Sequence, residues 1–294
     1  MSEYTGNVQV GGPPDTRMLP DLEITKLAVG DMDNNAYLLR CPTTGDGVLV
    51  DAANEAGRLL DLVGTTPLKT IVTTHQHADH WQALAEVVAQ TDAQTVAHPL
   101  DAAALPVTVD DVVEGGGTVT VGDVSLEVVH LRGHTPGSIA LLHRSADGST
   151  HLLTGDSLFP GGPGKTWAPA DFTSLMDDLE SRVFGVLPDD TWVYPGHGAD
   201  TTLGAERSVA AGVARPGLVK QAPPLDGCPN DSPVLRFLHL RPSGRAIMPP
   251  RLRSKGRPVP GRARQRALPG RVRRAGRGVR PWRTARGGRE PGNR

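Results

Sequence analysis

Short apolar runs that end in glycine-bearing turns recur between residues 22 and 207. Their β-branched composition and alternation predict buried strands. Segments with apolar residues three or four positions apart lie between several of these runs and predict helices. The predicted strands are 22–29, 36–40, 47–50, 69–73, 125–131, 151–154 and 191–194, and the predicted helices are 55–63, 81–88 and 171–184. The alternation of strands and helices predicts an α/β domain long enough for one buried core.

A predicted hairpin and a predicted amphipathic helix have specific geometries. The runs 22–29 and 36–40 predict a hairpin around the polar segment between them. The helix 171–184 carries an apolar stripe at four-residue spacing, formed by Leu175, Leu179 and Val183. We expect this stripe to face the core.

The strongest chemical signal is a run that contains His75, His77, Asp79 and His80. It follows the predicted strand 69–73, and functional sites in open α/β folds collect at the carboxyl ends of strands. Side chains at i and i+2 of an extended segment point the same way, so His75 and His77 can bind one ion together. Asp79 and His80 fall at a helix start and are turned away, which favours two adjacent metal ions. A helix N-cap aspartate among surface histidines is the alternative, and it does not account for so many histidines in one short run.

Three more residues of ligand type follow predicted strands in glycine-flanked turns. They are His134, Asp156 and His197. Each is a weak signal by itself, because an aspartate in a loop is usually a turn or cap residue. The other histidines of this part of the chain lie in or beside predicted strands, and we expect structural or surface roles for His98, His130, His143 and His151.

Taken together, these residues resemble the metallo-β-lactamase superfamily, in its glyoxalase II-like branch. The resemblance covers Leu22 to Arg207 and implies a four-layer αββα sandwich with the metals in a groove at one sheet edge. It implies that one metal is held by His75, His77 and His134, the other by Asp79, His80 and His197, and that Asp156 bridges them. The implied cofactors are two Zn²⁺ ions, with iron or manganese as alternatives. Asp51 stands where the family has an aspartate, and it either orients a ligand histidine or serves a plain turn.

The resemblance also implies a reaction. A hydroxide that bridges the two metals attacks a thioester, and Asp79 acts as the catalytic residue that orients it. Classical zinc β-lactamases carry a cysteine in the second metal site, so the aspartate at position 156 favours a thioesterase acting on hydroxyacyl-thiol conjugates. Lys165 matches a family position that contacts the carboxylate of the thiol carrier, and Trp167 stands near an aromatic contact. For these two residues, a solvated lysine and a packed tryptophan are the alternatives.

Other functions remain as alternatives at this stage. A mononuclear iron persulfide dioxygenase uses a similar histidine framework, and a lactonase would be another hydrolase. A nucleic-acid-binding protein or nuclease that uses a basic tail belongs to a different class. Glyoxalase II continues into a helical C-terminal domain, whereas the sequence after Arg207 has no helical pattern, so the carrier thiol stays open.

Charge divides the chain into two unlike parts. Residues 1–207 contain 10 Lys and Arg against 29 Asp and Glu, whereas residues 208–294 contain 21 against 3. We therefore predict an N-terminal extension at 1–20, a hydrolase domain at 21–207, and a tail at 208–294 that is rich in Arg, Gly and Pro. Such a composition predicts disorder. The acidic domain makes nucleic acid an improbable partner, and we expect a small-molecule thioester substrate.

The remaining composition bears on the compartment. Cys41 and Cys228 match no zinc spacing, which indicates a reducing environment and no disulfide framework. We see no signal peptide and no apolar run of about 18 residues, so we expect a cytoplasmic protein without a membrane segment. The sequence does not predict an oligomeric state.

The composition of the tail also suggests an origin outside the ancestral reading frame. Arg, Gly and Pro have GC-rich codons, and residues 208–220 can be back-translated so that a stop codon appears one base out of register near Lys220. A genuine basic extension is the alternative. If the tail is out of frame, deletion of residues 221–294 should leave metal content and activity intact. The gene's nucleotide sequence decides the matter, because it either contains that shifted stop or does not.

Overall fold

Two large β-sheets organise residues 3–213, which are the residues that the computed structural model describes. The first sheet has seven strands in spatial order: β1 (Asp15–Met18), β2 (Glu23–Val29), β3 (Asn34–Arg40), β4 (Gly47–Val50), β5 (Leu68–Thr73), β6 (Gln94–Ala97) and β7 (Asp111–Val112). The second sheet has six: β8 (Thr118–Val121), β9 (Val124–His130), β10 (Ile139–Arg144), β11 (Thr150–Gly155), β14 (Trp192–Pro195) and β15 (Thr201–Thr202). A short hairpin pairs β12 (Leu158–Phe159) with β13 (Gly162–Pro163).

The helices cover the outer faces of both sheets. They are α1 (Ala56–Val63), α2 (Leu84–Thr91), α3 (Pro99–Ala102), α4 (Pro169–Leu179) and α5 (Leu203–Val213). One apolar cluster joins the first sheet to α1 and α2, and another joins the second sheet to α4 and α5. A third cluster lies between the two sheets and contains, among others, Ile24, Leu126 and Tyr194. The result is the predicted αββα arrangement, in which each sheet is apolar on both faces.

The strand and helix predictions are confirmed with small shifts of boundary. β2 and β3 form the predicted antiparallel hairpin. The predicted stripe of α4 is buried, but the helix proper ends at Leu179 and a π-helical turn continues from Glu180 to Phe184. The helix predicted at 81–88 starts later, at Leu84, because a separate 3-10 turn at Ala78–His80 comes first. That turn carries two of the predicted metal ligands.

The predicted domain boundaries stay predictions, although the structure adds facts on either side. β1 lies within the stretch predicted as an N-terminal extension and pairs with β2. α5 runs to Val213, so the first residues of the predicted tail are helical. The predictions of disorder and of a frameshift concern mainly residues 214–294, which lie outside the described residues. Among residues 3–213, no helix has both the length and the apolar character that a membrane crossing requires.

Candidate metal centre

All seven predicted ligands meet at one end of the two sheets. His75 and His77 follow β5, and Asp79 and His80 lie in the 3-10 turn behind them. His134 lies in the β9–β10 loop, Asp156 directly follows β11, and His197 lies two residues after the end of β14. Residues that are far apart in the sequence meet because the carboxyl ends of these strands lie together.

The first group of ligands consists of three imidazoles. His75 Nε2 lies 3.1 Å from His77 Nδ1, which lies 2.9 Å from His134 Nε2. A tetrahedral ion with bonds of about 2.0–2.1 Å would separate its nitrogen ligands by about 3.3 Å. The three nitrogens therefore fit around one divalent ion, and we call His75, His77 and His134 the first triad.

The second group combines one carboxylate with two imidazoles. Asp79 Oδ2 lies 3.3 Å from His197 Nε2 and 3.5 Å from His80 Nε2, and the two nitrogens are 3.2 Å apart. We call Asp79, His80 and His197 the second triad. Its mixture of oxygen and nitrogen donors suits Zn²⁺, iron or manganese.

Asp156 lies between the two triads. Its Oδ2 is 3.4 Å from His134 Nε2 on one side and 3.4 Å from His197 Nε2 on the other. Its Oδ1 is 3.3 Å from His80 Nε2, is buried, and accepts no hydrogen bond from any group in residues 3–213. A buried carboxylate oxygen without a partner is costly, and a bound cation would satisfy it. The donor set thus fits two ions that share Asp156.

Hydrogen bonds behind the ligands orient the imidazoles. Three ring nitrogens point away from the centre and donate to oxygen: His80 Nδ1 to Asp51 Oδ2 at 2.9 Å, His134 Nδ1 to Lys165 O at 2.7 Å, and His197 Nδ1 to Met32 O at 2.8 Å. A neutral imidazole, the form that binds a metal, carries one N–H, and if that N–H makes the outer bond, the nitrogen that faces the centre has a lone pair.

Asp51 makes hydrogen bonds beyond its own turn. It follows β4 with a positive φ of 57° and is almost fully buried. Besides the His80 ring it accepts hydrogen bonds from Thr74 N at 2.7 Å and from the Thr74 hydroxyl at 2.8 Å. The same hydroxyl lies 3.0 Å from His75 Nδ1, so Asp51 supports both triads.

The charges around the centre are unevenly distributed. Burial, together with the charge on His80, holds the pKa of His75 well below its usual value, and burial lowers the pKa of His77 and His134. Burial also opposes protonation of His80, but Asp156 and Asp51 outweigh it and raise the pKa. At His197 burial lowers the pKa, yet Asp156 and Asp79 raise it to about 9. The second triad thus has a negative potential that attracts cations, while the first triad offers neutral ligands.

Two supporting residues carried no signal in the sequence. Asn34 Nδ2 donates to Asp79 Oδ2 at 2.9 Å. The buried Asp101 accepts from Gln76 N at 3.0 Å, from the Thr135 hydroxyl at 2.5 Å and from Gly137 N at 2.8 Å. It therefore joins the two loops of the first triad. Neither residue belongs to a ligand-like motif, and each acts through contacts that are distant in sequence.

Lys165 and Trp167 lie at the mouth of the centre. Lys165 is exposed, and its Nζ is 4.3 Å from the centre of the Trp167 ring. Trp167 is 65% exposed and turns an edge toward His77, with ring centroids 6.2 Å apart. The tryptophan is therefore outside the core. An exposed aromatic ring with a cation beside it can take part in binding a ligand that covers the metals.

The remaining histidines have other partners. His98 stacks on His130 with centroids 4.1 Å apart, and His98 Nδ1 accepts from Leu100 N at the start of α3. His143 lies 3.3 Å from Asp21, and His151 lies 3.0 Å from the Tyr194 hydroxyl. None of the four belongs to a ligand group among residues 3–213, in keeping with the structural roles expected for them.

Comparison with known proteins identifies the family. The chain belongs to the metallo-beta-lactamase superfamily, whose sequence model matches residues 29–197. An uncharacterized protein of Aquifex aeolicus is 30% identical over 201 residues, which are 63% of this chain and 94% of that protein. A hydroxyacylglutathione hydrolase of Polaromonas sp. is 35% identical over 166 residues, 56% of this chain and 62% of the hydrolase. The chain thus spans less than two thirds of that hydrolase.

Solved structures agree with this assignment. TTHA1623, crystallised in a di-iron-bound form, is 33% identical with a TM-score of 0.51, over 63% of this chain and 97% of that one. ETHE1 from Myxococcus xanthus is 29% identical with a TM-score of 0.56, over 64% of this chain and 82% of that one. The predicted family and fold are confirmed, and the His and Asp groups of this chain could hold divalent metal ions.

Proposed function

We propose that this chain is a dinuclear metal hydrolase that cleaves thioesters of small hydroxyacyl groups. The observation that carries the proposal is the placement of Asp156 between two complete triads, with an aspartate and no cysteine among the ligands. The similarity to hydroxyacylglutathione hydrolases supports a thioester substrate. We propose zinc as the metal, and the di-iron form of TTHA1623 makes iron the first alternative.

In this proposal the seven residues would hold two ions, and the ions would supply Lewis acidity that lowers the pKa of water toward neutrality and polarises a carbonyl oxygen. Asp79 is the candidate for orienting the attacking water, because Asn34 fixes its carboxylate beside His80 and His197. Asp51 and the carbonyls of Lys165 and Met32 keep the imidazoles turned toward the centre. These bonds would reduce the reorganisation that the reaction requires of the site.

The leaving group explains why no general acid is needed. A thiol has a pKa near about 8.5, so a thiolate leaves readily at neutral pH. Lys165 would attract a carboxylate on the thiol carrier, and Trp167 would cover the acyl group and reduce its contact with water. Both residues are exposed, and Trp167 lies beside His77 of the first triad.

Metal analysis with a substrate panel tests this function. We expect close to two metal ions per chain, mostly zinc, and faster cleavage of hydroxyacyl thioesters than of lactones or β-lactams.

Lys165→Ala should raise KM for carboxylate-bearing thioesters with little change in kcat, since the side chain contributes to binding only. Lys69→Ala is the matched control, because Lys69 is an exposed lysine on β5 that is paired with Asp46. An unchanged KM across acidic substrates would remove Lys165 from the site.

The main competing function is a mononuclear iron dioxygenase that acts on persulfides. Such an enzyme needs only one ion, whereas here the second triad is complete and adjoins the first through Asp156. Oxygen uptake with a persulfide substrate, together with one iron per chain, would replace the hydrolase proposal. The acidic domain speaks against nucleic acid as substrate, because phosphate backbones are bound by positive surfaces.

A further inference from the structure

The loop that carries His197 rests on a buried ion pair. Lys26 lies in β2, and Asp200 lies at the end of the loop, just before β15. Both residues are outside the family-matched range 29–197. Their side chains are 0% and 2% exposed, and Lys26 Nζ is 2.6 Å from Asp200 Oδ1. Lysine is almost never fully buried unless it is paired, so the burial of Lys26 depends on its partners.

Every donor of the Lys26 ammonium has an acceptor. In addition to Asp200, the nitrogen donates to Gly198 O at 2.7 Å and to Gly6 O at 2.8 Å. An ammonium has three N–H groups, and these three bonds use all of them. Of the three acceptors, the Gly6 carbonyl lies in the N-terminal segment, the Gly198 carbonyl directly follows His197, and the Asp200 carboxylate lies at the end of the same loop. One side chain therefore ties these pieces of backbone to the first sheet.

The carboxylate of Asp200 is equally well held. Its Oδ2 accepts from the Tyr4 hydroxyl at 2.6 Å and from Trp192 Nε1 at 2.9 Å. Gly6 lies so close to Asp200 that an added Cβ would come within 2.4 Å of Oδ2, and it has a φ of 71°. The segment before β1 can therefore pack against the ion pair because residue 6 is a glycine, and any other residue there would be strained.

Further hydrogen bonds of the loop connect the Lys26–Asp200 pair to His197. Asn35 Nδ2 donates to Gly198 O at 2.9 Å, and Gly198 N donates to Asp33 O at 3.2 Å. On the other side of His197, Asn35 N donates to Gly196 O at 2.7 Å. Gly198 directly follows His197, so the position of the Gly198 carbonyl affects the backbone conformation of His197. Without Lys26 that carbonyl would lose its shortest bond.

We propose that Lys26 and Asp200 are positioning residues for His197, and that Tyr4 and Gly6 complete the clamp. The inference rests on the proposed metal centre. A buried ion pair adds little to stability compared with apolar residues of the same size. Three directed bonds from one ammonium fix a geometry that an apolar pair could not. The clamp should therefore set metal affinity at the second triad and leave the first triad unaffected.

Cobalt titration of the full-length chain tests the clamp. Co²⁺ absorption measures metal binding, and thermal unfolding of the metal-free protein measures stability. The binding step that is lost in His197→Ala is the one that belongs to the second triad. In Lys26→Met we expect the Kd of that step to rise about 10–100-fold, the usual effect of removing support behind a metal ligand. The other step should not change. Glu23→Gln is the matched control, because Glu23 lies on the same strand as Lys26 but pairs with Arg40 of β3, and its loss should leave both steps unchanged.

The double variant Lys26→Met/Asp200→Asn separates positioning from folding. It removes the unpaired charge that Lys26→Met leaves buried, so the metal-free Tm should recover while the second-triad Kd stays weak. If affinity recovers together with Tm, or if Lys26→Met binds like the wild type, the clamp is not a positioning device. Should Lys26→Met fail to fold, Tyr4→Phe replaces it and must weaken the same step alone. A wild-type chain with no second-triad step would overturn the metal centre itself.

Discussion

Replacement of Asp156 by alanine is expected to abolish the dinuclear centre. The change removes the only carboxylate that lies within 3.4 Å of both triads, among residues 3–213. Metal content should fall from about two ions per chain, and the hydrolysis rate should fall with it by more than about 100-fold. Even changes behind a ligand cost about 10–100-fold, and Asp156 is proposed as a ligand itself. Metal analysis and steady-state kinetics on the same preparation measure both effects.

A remote aspartate provides the control for Asp156→Ala. Asp147 is exposed in the β10–β11 turn, where it accepts hydrogen bonds from Ser149. Asp147→Ala should leave metal content and kcat as in the wild type. Full activity of the Asp156 variant with one ion or none would contradict the dinuclear proposal and would direct attention to the first triad alone.

Gly196→Ala is expected to damage the same centre without removal of any ligand. A Cβ at this position would come within 2.2 Å of Asp156 Oδ1 and 2.7 Å of His80 Cε1, and both side chains are buried. The same Cβ would also lie 3.2 Å from the backbone carbon of Gly155, so the proposed ligands must move. We expect lower metal affinity and a fall in kcat on the order of 10–100-fold, with the fold retained.

Gly57→Ala makes the same chemical change where there is space for it. Gly57 lies in α1, and an added Cβ would meet nothing within 4 Å. Alanine is preferred to glycine inside a helix by about 0.5–1 kcal/mol, so the free energy of unfolding should rise slightly while metal affinity stays constant. If Gly196→Ala binds metal as well as Gly57→Ala does, the close packing around Asp156 is not needed for binding.

The sequence alone indicated most of the candidate centre, because its signals are local. His75 and His77 share one side of an extended segment, a relation that needs only the strand period. His134, Asp156 and His197 each follow an apolar strand, and such strand ends converge in an α/β fold. The boundary of the helix predicted at 81–88 shifted for a local reason as well, since a separate 3-10 turn at Ala78–His80 precedes α2, which begins at Leu84.

Apart from Asp51, the supports of the centre were decided only by the tertiary structure. Asp101 links the loops that follow β5 and β9, and Lys26 reaches an aspartate 174 positions away in the chain. A lysine within a strand and an aspartate at the start of a short helix resemble ordinary surface residues in a sequence. Their meaning comes from burial, which removes water as a partner and makes each polar atom depend on groups contributed by distant segments. The pattern of apolar and ligand residues therefore predicts where the centre forms, and three-dimensional packing determines what holds it in shape.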